Sequence, residues 1–458
     1  MPGGENFSNP GGHFRKIESK EKEMDTQSVS PRKFRLTTTW YVSRIALSFA
    51  LGFALTVFAN RVANAQTYSV LHNFTLGGDG GTPYFGVVLD HAENLYGSTI
   101  AGGIANSCGG LGCGVVYKVP HQHLTILSPL YKFAGGSDGA NPTWLTFGGN
   151  GTIYGVTLAG GGAGCGGGGC GTVFNLRPPS HSCASISCPW SETQLYSFQG
   201  QPDAATPLSL VFSNGNIFGV SEYGGVHNGG AIFELMPSGS GWTEQVIYSF
   251  TGGQDGYYPN GALVIDSLGK LYGTAFFGGQ YGYGTIFELS PSGSGWTEMT
   301  LWAFGMPGTT GKNPAGGLIS DSTGNLYGST EYDTLGGQGA VFELSPSNGG
   351  WTYQELYDLR PGSGGDGSGP YAPLTMDGAG DLYGTTYGNS GSGDFGTVYE
   401  LTPSGGSWHY TLLYQFRNGF FPESGVTLDA QGNLYGTTTI GGDGGYGVVW
   451  EIVPVSGR

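Results

Sequence analysis

Apolar and polar positions in this chain alternate in short runs, and the runs recur. Seven times an aliphatic residue, an aromatic residue and a glycine follow one another, usually with a small hydroxyl residue next. The copies are Leu95-Tyr96-Gly97, Ile153-Tyr154-Gly155, Ile217-Phe218-Gly219, Leu271-Tyr272-Gly273, Leu326-Tyr327-Gly328, Leu382-Tyr383-Gly384 and Leu434-Tyr435-Gly436. Their aromatic positions lie 58, 64, 54, 55, 56 and 52 residues apart. Self-similarity at a near-constant period marks a repeat architecture.

The middle unit reads as four strands. Residues 261–266 form a short apolar run, and Ser267-Leu268-Gly269-Lys270 reads as a tight turn. A second strand covers 271–275, and a loop holding Gly278-Gly279 leads to a third over 284–289. Residues 291–295 turn the chain into a fourth strand, 296–304. β-Branched and aromatic runs bounded by Gly, Pro, Ser and Asp support each assignment. Four antiparallel strands per period predict an all-β fold, a β-propeller of seven four-stranded blades. The ends agree: Tyr68–Phe74 resembles a lone fourth strand, while the last unit stops after its third, residues 447–452. The N-terminal strand is therefore expected to complete the last blade and close the ring. A linear solenoid would need polar caps at both ends, and none is visible.

The segments Gly324–Thr330 (GNLYGST), Gly284–Thr297 (GTIFELSPSGSGWT) and Gly432–Ile452 resemble the GloVer tandem-repeat proteins, a secreted bacterial family with varied anchoring tails. The resemblance spans essentially all of residues 66–458 and implies an exported repeat protein of no particular chemistry. No anchor pattern precedes Arg458, so retention by a C-terminal tail is not expected.

Composition sharpens this picture. Gly accounts for 90 of 458 residues without a Gly-X-Y period, and aromatic residues reach 13%, which fits neither collagen nor disorder. Residues 1–65 read as a separate N-terminal region. Arg32, Lys33, Arg35 and Arg44 precede an apolar run of 15 residues, 45–59, and Ala63-Asn64-Ala65 offers a small-residue cleavage site. That order is a secretory signal, with cleavage expected after Ala65; an uncleaved anchor is the alternative, and Met24 is an alternative start. Removing residues 1–65, with 9 basic and 5 acidic side chains, leaves 8 basic and 28 acidic ones, a formal charge of −20. Such a surface repels a phosphate backbone, so nucleic acid is not an expected partner. A monomer at the cell surface or in the medium is expected, meeting a membrane only through an uncleaved anchor.

Two loop sets should lie on opposite faces. On one, turns such as Asp266–Gly269, Asp321–Gly324, Asp377–Gly380 and Asp429–Gly432 look structural, since Asp can accept nearby backbone N–H groups. Structural calcium is the alternative, but each turn brings one carboxylate where a site wants six to eight oxygens. No other cofactor is expected. The other face carries the Gly-Gly loops and an Asp-Gly-x-x-Pro motif, as at Asp255–Pro259, interleaved with aromatic residues that include Tyr84 and Tyr371. Trp144, Tyr223, Asp255, Tyr257, Tyr258, Phe277, Tyr281, Tyr332 and Tyr387 are the candidate ligand residues, because aromatic faces beside carboxylates suit a glycan or peptide. Packing between blades is the competing reading of any one aromatic.

The third strands repeat Phe-Glu-Leu, and strand alternation turns the Glu away from its apolar neighbours, to solvent or a cross-strand partner. Six cysteines fall into three pairs of equal spacing, Cys108/Cys113, Cys165/Cys170 and Cys183/Cys188. In an exported chain these predict disulfides; zinc is the rival. No His-Glu-x-x-His or phosphate loop appears. A carboxylate-based hydrolase or lyase would need convergence of residues such as Asp138, Glu222, Asp255, Glu331 and Asp394. A non-catalytic module that binds glycan or extracellular protein is the expected function, with such an enzyme or a structural envelope protein as alternatives.

Overall fold

Each copy of the aliphatic-aromatic-Gly phrase lies in the second strand of a four-stranded antiparallel sheet, and seven such sheets make a seven-bladed β-propeller. The computed structural model describes residues 66–121, 126–179, 190–333, 338–360, 365–388, 395–417 and 420–454. Blade 4 is representative, with strands Tyr257–Ile265, Leu271–Phe277, Thr285–Ser292 and Gly295–Ala303 running from the centre outwards. The last turn is tighter than the sequence suggests. Ser292 pairs with Gly295, leaving a two-residue hairpin with Gly293 at φ 62°, a conformation glycine adopts without strain. In blade 5 the innermost strand is split into Gly311–Pro314 and Ile319–Ser320, both paired with Leu326–Asp333.

The recurring phrase has a packing cause. Its glycine pairs across the sheet with the aromatic residue of the third strand: Gly97 with Tyr117, Gly273 with Phe287, Gly436 with Trp450. A Cβ at Gly273 would stand 2.6 Å from the Phe287 ring, so the ring occupies the space a side chain would need. The hydroxyl residue after the glycine often ties its blade to the next. Ser98 donates to Thr143 O (2.5 Å), Ser329 to Pro370 O (3.3 Å), Thr385 to Ser424 O (2.8 Å) and Thr437 to Phe85 O (3.2 Å).

The core lies between blades. Seven buried clusters join neighbouring blades in pairs, including one between the last blade (Leu71, Phe74, Tyr435, Val449) and the first (Val87, Leu95, Val115, Tyr117). In six seams the residue just after the outer strand meets the third-strand aromatic of the following blade edge-on, as in Phe133–Phe174 (5.1 Å) and Phe250–Phe287 (5.1 Å). Leu359 holds the equivalent place in the seventh, its N–H bonded to Gly339 O as Phe250 N–H is to Gly230 O. Edge-to-face aromatic pairs add about 0.5–1.5 kcal/mol each beyond burial.

Ring closure follows the sequence expectation. Thr67–Asn73 pairs antiparallel with Val448–Val453 and forms the outermost strand of blade 7. No open sheet edge remains at that seam. The expected signal and its cleavage site lie outside the described residues.

Candidate functional site in the central cavity

The innermost segments of all seven blades surround a central cavity of about 780 Å³. It sits on the face of the between-blade and second-to-third loops, because its walls come from the start of each innermost segment and the end of several second strands. Two positions of the repeat lie in its wall or beside it. One is the fourth residue after the phrase aromatic, occupied by Leu158, Glu222, Phe276, Glu331, Tyr387 and Thr439 in blades 2 to 7. The other follows the recurrent proline and supplies Tyr84, Asn260, Tyr371 and Glu423.

That proline explains why the second position faces inward. Pro83, Pro142, Pro207, Pro259, Pro314, Pro370 and Pro422 each pack on a left-handed glycine at the start of the preceding blade's third strand; a Cβ on Gly230 would lie 2.3 Å from Pro259 Cδ. The preceding residue is left-handed in six blades, at Thr82, Asn141, Thr206, Tyr258, Asn313 and Gly369. Tyr258, at φ 55°, is the bulkiest of these and lines the cavity, so backbone strain there is spent holding an aromatic at the site.

Tyrosines and carboxyls form one connected group at the mouth. The Tyr84 and Tyr371 hydroxyls lie within electrostatic reach of each other, with Asn260 beside Tyr371. Tyr223 lies beside Glu222, and Tyr332 and Tyr387 lie beside Glu331; Thr439 lies beside Glu423 while its hydroxyl donates to Phe421 O (3.3 Å). Burial pushes all three carboxyls above the usual range, and the neighbouring hydroxyls oppose it only in part. Glu222 and Glu423 line the cavity; Glu331, 8% exposed, sits behind them within electrostatic reach of Tyr371. Deeper in, Val87, Leu145, Leu318 and Val426 make the wall apolar, and among the described residues no Lys, Arg or His lines the cavity.

Of the residues singled out from sequence, Trp144, Tyr223, Tyr258 and Phe277 line this cavity. Tyr332 and Tyr387 lie beside Glu331, outside the lining. Tyr257 stacks on Phe277 (5.3 Å) and packs into the seam between blades 3 and 4. Tyr281 lies in the second-to-third loop of blade 4 and is not part of the lining. The Asp255 carboxylate is taken up by its own loop, accepting from Tyr248 Oη (3.0 Å), Thr251 N (2.7 Å), Thr251 Oγ1 (2.6 Å) and Gly253 N (3.2 Å). Asp138 likewise accepts from Tyr131 Oη (2.5 Å) and Ala134 N (2.6 Å). Gly135-Gly136-Ser137-Asp138-Gly139 has the spacing of a nucleophile elbow, yet it is a between-blade turn with no strand-to-helix transition. Asp394 lies outside the described residues. Asn260, Phe85 and Glu423 escaped the sequence reading; their signal was the divergence of the residues after the recurrent proline.

The two faces differ. Turn carboxylates on the opposite face are enclosed by their own loops: Asp321 accepts from Thr323 N (2.8 Å), Asn325 N (3.0 Å), Asn325 Nδ2 (2.8 Å) and Tyr327 Oη (3.2 Å). The third-strand Glu residues pair locally, Glu288 with Lys270 Nζ (2.7 Å) and Glu234 with Asn216 Nδ2 (2.6 Å). Among the described residues no three His, Cys, Asp or Glu side chains are grouped to hold a metal. Two disulfides form, Cys108–Cys113 and Cys165–Cys170, each under the glycine of the next between-blade loop, Gly135 or Gly200. Cys183 and Cys188 lie outside the described residues.

Three overlapping stretches, residues 54–267, 166–365 and 269–458, match the Gloeobacter/Verrucomicrobia repeat. The chain belongs to that repeat family. No curated protein sequence matches this Gloeobacter/Verrucomicrobia repeat protein. Among solved structures it is similar to a fungal alcohol oxidase of the AA5 family in complex with copper, at 13% identity and TM-score 0.52, over 84% of this chain and 75% of that one. It is also similar to the PQQ-bound aldose sugar dehydrogenase of Streptomyces coelicolor, at 11% identity and TM-score 0.43, over 84% of this chain and 98% of that one. At these identities the likeness concerns the fold alone.

Proposed function

We propose that this repeat protein is an exported, non-catalytic binding module that takes a glycan unit into its central cavity. The carrying observation is a preformed cavity of about 780 Å³ whose mouth combines aromatic faces with phenols and carboxyls. Aromatic rings cover the apolar faces of a sugar, and the Tyr, Asn and Glu groups match its hydroxyls. Two disulfides, and no helix among the described residues long and apolar enough to cross a membrane, are compatible with an extracellular setting. No cofactor is required by this reading.

The test is calorimetric titration with soluble oligosaccharides, with chromatography of the same samples. Binding of intact sugar, weakened about tenfold or more by Trp144→Ala, supports the reading. Binding that ignores Trp144→Ala, or no binding, removes it. Burial of Glu222, Glu331 and Glu423 favours a second reading, a glycan hydrolase or lyase, because burial raises a carboxyl toward the range in which it serves as a general acid. Shortened products, lost in one of the three Glu→Gln variants, would select it.

A further inference from the structure

We propose that the cavity's ligand carries a cationic nitrogen, so that within the glycan reading above the recognised unit is a deacetylated amino sugar. The inference rests on that reading but uses a separate observation, the sign of the groups facing the ligand. Glu222 and Glu423 are in the cavity wall, Glu331 is within electrostatic reach of the cavity's Tyr371, and among the described residues no basic side chain lines the cavity to neutralise them. The described ion pairs lie elsewhere, at His72–Asp79, His121–Glu93 and Lys270–Glu288.

The rings beside the carboxyls point the same way. Tyr84, Trp144, Tyr258, Phe277 and Tyr371 present faces or edges to a space large enough for a sugar ring. The negative face of an aromatic ring attracts an ammonium group, most strongly where water is excluded. A neutral sugar would use the rings and phenols but leave two wall carboxyls without a counter-charge. An anionic sugar would meet uncompensated like charge. A bare metal ion would gain from the carboxyls and little from the aromatic wall. An ammonium on a sugar ring uses both. The formal charge of −20 on residues 66–458 adds a long-range field that concentrates cations at the surface.

Binding should also release protons. The groups facing the carboxyls are the neutral phenols of Tyr84, Tyr223, Tyr332, Tyr371 and Tyr387 and the Thr439 hydroxyl, none of which supplies positive charge. Burial without a cation favours their protonated form, and an arriving ammonium favours the carboxylate.

The experiment compares glucosamine trimer, its N-acetylated counterpart and tetramethylammonium by calorimetry at pH 6, in two buffers of different ionisation enthalpy, using the purified protein. Glucosamine trimer should bind about tenfold or more tightly than the N-acetylated trimer. Its apparent enthalpy should change with buffer as protons leave, and Glu222→Gln with Glu423→Gln should remove the preference. Equal affinity for the two trimers overturns the cationic inference while the glycan reading stands. Tetramethylammonium binding without either trimer keeps the cationic class and overturns the glycan reading. Binding of glucosamine trimer that survives Trp144→Ala is surface attraction and overturns the inference, as does no binding by any probe.

Discussion

The two faces of the propeller put the same chemical group to opposite uses. On the tight-turn face, burial would raise the Asp90 and Asp321 carboxyls, but hydrogen bonds from Asn94 and from Thr323 and Asn325 outweigh it and carry them below the usual range. On the cavity face, burial acts on Glu222, Glu331 and Glu423, nearby hydroxyls oppose it only in part, and they end above it. The first set recurs from blade to blade, whereas the second occupies repeat positions where other blades carry Leu, Phe, Tyr or Asn. A position that repeats serves the blade. A position that departs from the repeat, at one end of the ring axis, serves what the ring encloses.

The strongest way to break this comparison is to attack a repeated position. Phe287→Ala removes a fully buried ring that fills the space over Gly273, and should cost about 3–5 kcal/mol in chemical denaturation. A loss below about 1 kcal/mol would mean the seam does not depend on that ring.

Next in size is the contrast between a turn carboxylate and a cavity carboxyl. Asp321→Ala strips the acceptor from two backbone N–H groups and from Asn325 and Tyr327, and should destabilise by about 1–3 kcal/mol. Glu423→Gln should leave stability within about 0.5 kcal/mol, since burial already disfavours the charge that the substitution removes. Equal effects in urea titrations would erase the distinction.

Disulfide reduction should be smaller and local. Each bridge spans a sequence separation of 5, so loss of Cys108–Cys113 or Cys165–Cys170 should cost about 2 kcal/mol or less. Circular dichroism should show the propeller intact, and cavity binding should persist, because neither bridge contributes a residue to the cavity lining.

The smallest expected effect is the pH profile. Burial, with Asp138 and Asp203 nearby, pushes Glu192 up to about 7 and Glu244 up to about 8. The folded protein therefore holds protons there that the unfolded chain gives up above about pH 4.5. That stabilisation is complete below about pH 4.5 and is lost as pH rises through 7 to 8. Asp90 and Asp321 act oppositely, their contribution being lost as pH falls below the ordinary Asp range. Melting temperature should thus peak on the mildly acidic side of neutral, and Glu244→Gln should flatten the alkaline decline. A maximum above pH 8, unchanged in that variant, would contradict this.

Much of the molecule was legible because its causes are local or cross-strand. Gly273 is required by Phe287 on the next strand, and Tyr272 by Asp266 six residues earlier, whose carboxylate its hydroxyl reaches at 3.2 Å. Such demands return once per blade and print a period into the chain. The candidate site was only half legible. Tyr257 and Tyr258 are neighbours with the same chemistry, yet one packs into a blade seam and the other into the cavity. Asp255 has the composition of a ligand residue and the geometry of a loop brace.

The sequence by itself determined seven blades, their strand order and the closing strand, because backbone pairing and the glycine-aromatic fit act over tens of residues. Only the tertiary structure decided which residues share the cavity. Tyr84 and Glu423 stand 339 positions apart, and ring closure alone makes them neighbours. Their burial, and so their charge, is a property of the closed ring rather than of either segment.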